Sequence, residues 1–170
     1  RSVRTLRARV LIAARDYAAA IASLRQLSHE DAGDEEAATL LAEALAVTGH
    51  PADAIATLTA PGLPGRLSNE RGLLLACVVL DQRGSAAAIA ALARLAAPPN
   101  NPVGRVFAAA WPDLWPGAKP SEPATTSDVL ALPSFPACSE RLAEALAARQ
   151  RHDLAAALVL STASILDAQS

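Results

Sequence analysis

Three stretches of the chain decide its fold: RDYAAAIASL at residues 15–24, GHPADAIATL at 49–58 and RGSAAAIAAL at 83–92. They align without gaps, each 34 residues after the one before. Isoleucine is rare in this chain, so its recurrence at one phase is not expected by chance. A fixed period of this length indicates a repeat architecture. The recurring positions are Ala20, Ala54 and Ala88, then Ile21, Ile55 and Ile89, then Leu24, Leu58 and Leu92.

Each repeat has the pattern of two helices joined by a turn. In the second repeat, Leu41 and Leu45 share one helical face, and His50 and Pro51 interrupt the pattern before it resumes at Ala54. Alanine at a helix crossing allows the two backbones to approach closely, while neighbouring leucines fill the remaining space. The sequence therefore predicts a series of helix-turn-helix units.

Composition agrees with a helical, non-membrane domain. The chain has 170 residues, of which 52% are hydrophobic and only 3% aromatic, and its net charge is −2. It is long enough to bury a core, and alanine and leucine outnumber the residues typical of sheets. The charge does not favour nucleic acid as a partner, and no apolar run is long enough to span a membrane.

The repeats resemble the tetratricopeptide repeat family. The second repeat carries Leu41-Ala42-x2-Leu45 followed by Ala54-x3-Leu58, and the third carries Leu75-Ala76-x2-Val79 followed by Ala88-x3-Leu92. The resemblance covers residues 2–97. It implies an all-α fold in which helix-turn-helix repeats stack into a right-handed superhelix.

The remaining sequence divides into three further segments. Beyond the three repeats we expect a capping helix at 98–111, because a repeat stack needs a cap. A proline-rich insert follows at 112–138, with one helical turn at 128–132. A helix pair closes the chain at 139–167, with Ser139 as its N-cap.

No pattern in the sequence indicates catalysis, and we expect neither an enzyme nor a cofactor or metal site. The glycines form no phosphate-binding loop, and the histidines and cysteines have no metal-ligand spacing. Cys77 and Cys138 lie in different segments, so we expect two free, buried thiols rather than a disulfide.

The family resemblance implies that the first helices of the repeats line a concave groove that binds peptides. In the third repeat, Leu73, Cys77 and Leu80 lie opposite the core positions Leu75 and Val79, so they should be exposed in this groove. The groove residues expected from the first two repeats are Thr5, Arg9, Ile12, Glu36, Thr39, Glu43 and Ala46. Trp111 and Trp115 complete the expected partner-binding set, either as binding anchors or as an internal plug.

The first helix of the third repeat is so apolar that another segment or molecule must pack against it. Three occupants remain open for the face that Leu73 and Leu80 share: a peptide or helix of a partner, a second copy of the chain, or the chain's own segment. The last could be the tryptophan-containing segment or the C-terminal helix pair.

Arginines at positions 1, 4 and 7 form a second feature, a stripe with Arg9 beside it. This stripe would attract an acidic partner. The alternatives are a solvated helix face, or a face covered by residues that precede Arg1 in a longer chain.

Taken together, these features predict a protein–protein interaction scaffold. It would hold a peptide or helix in an apolar groove, as a subunit of a larger bacterial assembly. Two alternatives are a secretion-type chaperone that shields a hydrophobic cargo, and a structural module that forms homo-oligomers. We expect a cytoplasmic location, with the periplasm as the alternative because a leader before Arg1 would not be seen.

Overall fold

A computed structural model describes residues 3–94, 101–113, 120–132 and 136–167. Within these ranges the chain forms ten α-helices, and most of the described residues are helical, which confirms the all-α helical repeat fold. The helices are α1 (Val3–Ala13), α2 (Tyr17–Glu30), α3 (Glu35–Val47), α4 (Pro51–Leu58), α5 (Asn69–Arg83), α6 (Ser85–Leu92), α7 (Pro102–Ala110), α8 (Thr126–Leu130), α9 (Pro136–Ala148) and α10 (His152–Asp167).

The helices belong to two compact units, Arg1–Gly65 and Arg66–Ser170. The first contains α1 to α4 and the second contains α5 to α10. The division differs from the expected one, which grouped all three repeats together. It falls in the non-helical segment 60–68, where two prolines and two glycines prevent α4 from continuing.

The starts of the helices follow the sequence period. Helices α2, α4 and α6 begin directly after Asp16, His50 and Gly84, which are 34 residues apart, and α3 and α5 begin after Asp34 and Ser68. The side chains of Asp16, Asp34 and Ser68 accept a hydrogen bond from the backbone amide three residues later. These N-caps satisfy amides that have no partner within the helix.

Three of the helix pairs share the same turn. Arg15, Gly49 and Gln150 have φ angles of 59°, 82° and 59°, and each lies two residues before the second helix of its pair. A left-handed residue at this position ends one helix and redirects the chain into the next. The α9–α10 pair therefore turns in the same way as the α1–α2 and α3–α4 pairs.

The periodic alanines form the centre of the repeats. All six are fully buried in the structure, as expected for small side chains at helix crossings. They are Ala8, Ala20, Ala42 and Ala54 in the first unit, and Ala76 and Ala88 in the second.

Helices α7 to α10 pack around an apolar cluster of their own, which we call the α7–α10 cluster. Beside it, Arg105 Nε of α7 donates to Asp128 Oδ2 at 3.1 Å, and the Thr125 amide donates to the same oxygen at 2.9 Å. These bonds join α7 to the start of α8. The cluster consists of Val106, Ala110, Ala124, Val129, Leu142, Leu146, Leu154 and Leu158.

Two local predictions need correction. Helix α9 begins at Pro136, so Ser139 lies inside the helix and is not its N-cap. Proline suits the first turn of a helix, where its missing N–H would have no partner. The short helix in the insert runs from Thr126 to Leu130, slightly earlier than predicted, because Thr125 and Asp128 form a capping box.

Candidate partner-binding surfaces

The groove predicted on the third repeat is closed. Leu73, Cys77 and Leu80, which we call the α5 face, are only 3%, 1% and 9% exposed. The prediction that they face solvent is wrong because α9 packs against α5. Of the three expected occupants, the chain's own C-terminal helix pair therefore covers this face.

A disulfide joins the two helices. Cys77 of α5 and Cys138 of α9 are bonded, with their Cα atoms 5.7 Å apart, so the prediction of two free thiols is wrong. Their separation of 61 residues hid the pairing from the sequence, because spacing does not reveal which segments meet in the fold. At the edge of the contact, Arg141 Nη1 lies 3.1 Å from Asp81 Oδ1.

Trp111 contributes to the interior. It is half-buried and packs against the α7–α10 cluster, and its ring centroid lies 4.7 Å from that of Phe107. Of the two roles expected for this residue, its placement favours the internal one. Trp115 lies outside the described residues.

Most of the groove residues predicted in the first two repeats are also covered. Thr5, Ile12, Thr39 and Glu43 are buried, and Ala46 is half-buried. In α1 the reason is clear, because this helix packs against both α2 and α3 and thereby covers the side that carries Thr5 and Ile12. The expectation that these four residues line an open groove is therefore wrong.

Arg9 and Glu36 remain partly exposed, and the structure brings them together. Arg9 Nη2 lies 2.7 Å from Glu36 Oε1, and its Nε donates to the same oxygen at 3.0 Å. Both were predicted as partner contacts on separate helices. In the structure they neutralise each other.

Among the described residues, three large and exposed apolar side chains lie together on one side of α1. Val3, Leu6 and Val10 are 83%, 60% and 60% exposed, and Arg7 is exposed beside them. We call these four residues the α1 face. Sequence reasoning missed it, although the spacing of three and then four residues places all three apolar side chains on one side of a helix.

The charged residues of α1 are all positive. The helix carries Arg4, Arg7 and Arg9 and no acidic residue. Arg4 forms an ion pair with Glu30, and Arg9 forms one with Glu36. For Arg7 the structure shows no ion pair among the residues it describes. The α1 face is therefore apolar with a cation at its edge.

Other kinds of site are not found in the described part of the chain. No group of three or more His, Cys, Asp or Glu side chains there is arranged to hold a metal ion. None of the helices described is both long and apolar enough to cross a membrane.

Comparison with known proteins supports the repeat assignment. The family model described as "Tetratricopeptide repeat" matches residues 11–68, which extend from within α1 to the residue before α5. No curated protein and no solved structure matches the chain. The matched segment holds the periodic residues of the first two repeats, Ala20, Leu24, Ala54 and Leu58 among them, and this part of the chain is similar to the tetratricopeptide repeat family.

Proposed function

We propose that this chain binds an amphipathic helix of a partner protein on the α1 face, as a subunit of a larger assembly. Tetratricopeptide repeats generally mediate protein–protein interaction. The observation that carries the more specific proposal is the exposure of Val3, Leu6 and Val10 on one side of α1.

The spacing of these residues suits a helical partner. Single exposed apolar residues are normal on protein surfaces, whereas a contiguous apolar surface marks an interaction site. Val3, Leu6 and Val10 occupy positions i, i+3 and i+7, which is the pattern by which helices pack against one another. A partner helix with its own apolar stripe would bury them.

The charge of α1 selects an acidic partner. Arg7 lies beside the three apolar side chains, and a carboxylate at the edge of a partner's apolar stripe would pair with it. Within this chain, α9 is held on α5 in a comparable way, since apolar burial is accompanied by the Arg141–Asp81 ion pair. Charges at the rim of an interface contribute mainly to specificity and to the rate of association.

The same charge argues against self-association through this face. A symmetric dimer would place the same patch on both sides of the interface, so the two copies of Arg7 would approach one another. The secretion-chaperone alternative needs an open apolar groove, and α9 fills the one on α5. Both alternatives are therefore less well supported than a distinct acidic partner.

A pair of synthetic helical peptides tests the proposal. Both carry leucines at i, i+3 and i+7; one has glutamates beside them and the other has lysines. We expect fluorescence anisotropy to show binding of the acidic peptide only. Leu6→Asp should weaken that binding about tenfold or more, a loss of at least about 1.4 kcal/mol. Arg7→Glu should shift the preference towards the basic peptide.

Leu130→Asp is the matched control, because Leu130 is 67% exposed but lies on α8. It should bind the acidic peptide as the wild type does. Equal affinity of the wild type and Leu6→Asp would contradict the proposal. So would a wild-type dimer, seen by light scattering, that Leu6→Asp converts to monomer, since the face would then serve self-association.

A further inference from the structure

We propose that the Cys77–Cys138 disulfide is a redox latch. In the oxidised chain it holds α9 over the apolar α5 face, and in the reduced chain α9 can leave that face and expose Leu73 and Leu80. The proposal concerns a surface other than the α1 face, and it does not depend on what binds there.

Besides the disulfide and the burial of the α5 face, an ion pair between described residues of the two helices joins α9 to α5. The Arg141–Asp81 pair joins two partly exposed side chains, and ion pairs of this kind contribute little to stability. Cys138 Sγ lies 3.7 Å from the Leu73 carbonyl oxygen. After reduction, the Cys138 thiol would be only a weak hydrogen-bond donor to that oxygen. The covalent bond is thus the attachment that reduction removes.

Helix α9 also has a second packing surface that does not involve α5. Leu142 and Leu146 are buried in the α7–α10 cluster, where they pack with Leu154 and Leu158 of α10. Through this surface α9 stays attached to α10 when it separates from α5, but one side of the helix is then unpacked and its backbone hydrogen bonds open more often. Opening would then expose the apolar side chains of Leu73 and Leu80, which are buried in the closed form.

The redox step is a thiol–disulfide exchange with an external dithiol. One thiolate of the dithiol attacks a sulfur of the Cys77–Cys138 bond and forms a mixed disulfide. The second thiolate then displaces the remaining cysteine. The protein gains two electrons and two protons as two thiols, and the dithiol becomes a disulfide.

Burial of the disulfide makes the closed form, in which α9 lies on α5, long-lived. Cys77 and Cys138 are only 1% and 2% exposed, so in the closed form a dithiol reaches their sulfurs only during transient local opening, and reduction is slow. The redox state in which the chain folds therefore decides between the two forms. An oxidising compartment yields the closed form, and a reducing one leaves two thiols.

Hydrogen exchange measured by mass spectrometry tests the latch. We would compare the oxidised wild type, the wild type folded in dithiothreitol, and the Cys77→Ala/Cys138→Ala variant. The amides of α9 should exchange faster by about tenfold or more in the last two samples, while those of α5 and α6 keep their protection. The dye anilinonaphthalene sulfonate should bind more strongly to both, because it reports exposed apolar surface.

Asp81→Asn in the oxidised protein is the control, since it removes the ion pair but keeps the disulfide. It should leave α9 protected. Three results would overturn the proposal: equal protection of α9 in all samples, loss of protection in α5 and α6 together with α9, or two free thiols in the wild type purified without reductant. Each of them leaves the α1 face proposal unaffected.

Discussion

Arg9 on α1 and Glu36 on α3 form an ion pair in which two guanidinium nitrogens lie 2.7 and 3.0 Å from the same carboxylate oxygen. The pair joins the first helices of the first two repeats. Both residues were predicted from the sequence to contact a partner, and in the structure they pair with each other instead. On α1 this pairing leaves Arg7 as the cation beside the exposed apolar residues.

We expect this ion pair to stabilise the first unit only slightly. Both side chains are partly exposed, so solvent screens their attraction. A double-mutant cycle with Arg9→Ala and Glu36→Gln, measured by urea unfolding, should give a coupling free energy of about 0.2–1 kcal/mol. A coupling free energy above about 2 kcal/mol would show that the pair contributes substantially to holding α1 on α3.

The buried alanines should not tolerate larger side chains. Ala20 is fully buried where the helices of the first repeat cross, whereas Ala22 on the same helix is exposed. Ala20→Leu should lower the free energy of unfolding by about 1–3 kcal/mol or more, because the helices must move apart. Ala22→Leu should change it by less than about 0.5 kcal/mol. Equal effects in urea unfolding would rule out a close crossing at Ala20.

Asp128 should make the second unit sensitive to acid. The hydrogen bond from Arg105 lowers the pKa of Asp128 from 3.8 to about 2, with help from the amide and hydroxyl of Thr125. Because the folded pKa is lowered, the ionised carboxylate stabilises the fold fully above about pH 4. That contribution is lost as the pH falls through about 2.

The measurement is urea unfolding of the wild type and Asp128→Asn between about pH 5 and pH 2. At neutral pH the variant should be less stable by about 1–3 kcal/mol, since it loses a charged hydrogen bond. The difference should shrink towards pH 2. A difference that stays constant over this range would mean that the ionisation of Asp128 does not contribute.

The disulfide should contribute substantially to stability. It closes a loop with a sequence separation of 61 residues, and the chain-entropy estimate for such a loop is about 4 kcal/mol. The Cys77→Ala/Cys138→Ala variant should therefore unfold at a markedly lower urea concentration than the oxidised wild type. A loss below about 1 kcal/mol would show that α9 stays on α5 without the bond.

The repeat architecture could be predicted from the sequence because its causes are local. Alanine at 20, 54 and 88 recurs with the period of the helix pairs. The residues that start the second helices, Asp16 and His50 among them, recur with it. Helix periodicity and capping depend on residues within a few positions of each other. The helices and the positions of their turns follow from this.

The candidate sites could not be predicted in the same way. The pattern of Leu73 and Leu80 suggested that both are exposed. In the structure both are buried, and Val3 and Leu6 are exposed instead. Amphipathic spacing shows that a helix has an apolar side. It does not show which other helix will cover that side.

The sequence by itself thus determined the all-α repeat fold, the turns within the repeats and the small residues at the helix crossings, since each depends on neighbouring residues and a regular period. The tertiary structure alone decided that Cys77 meets Cys138, that α9 closes the α5 face and that α1 keeps an open one. The physical reason is that burial and covalent pairing depend on contacts between segments far apart in the chain.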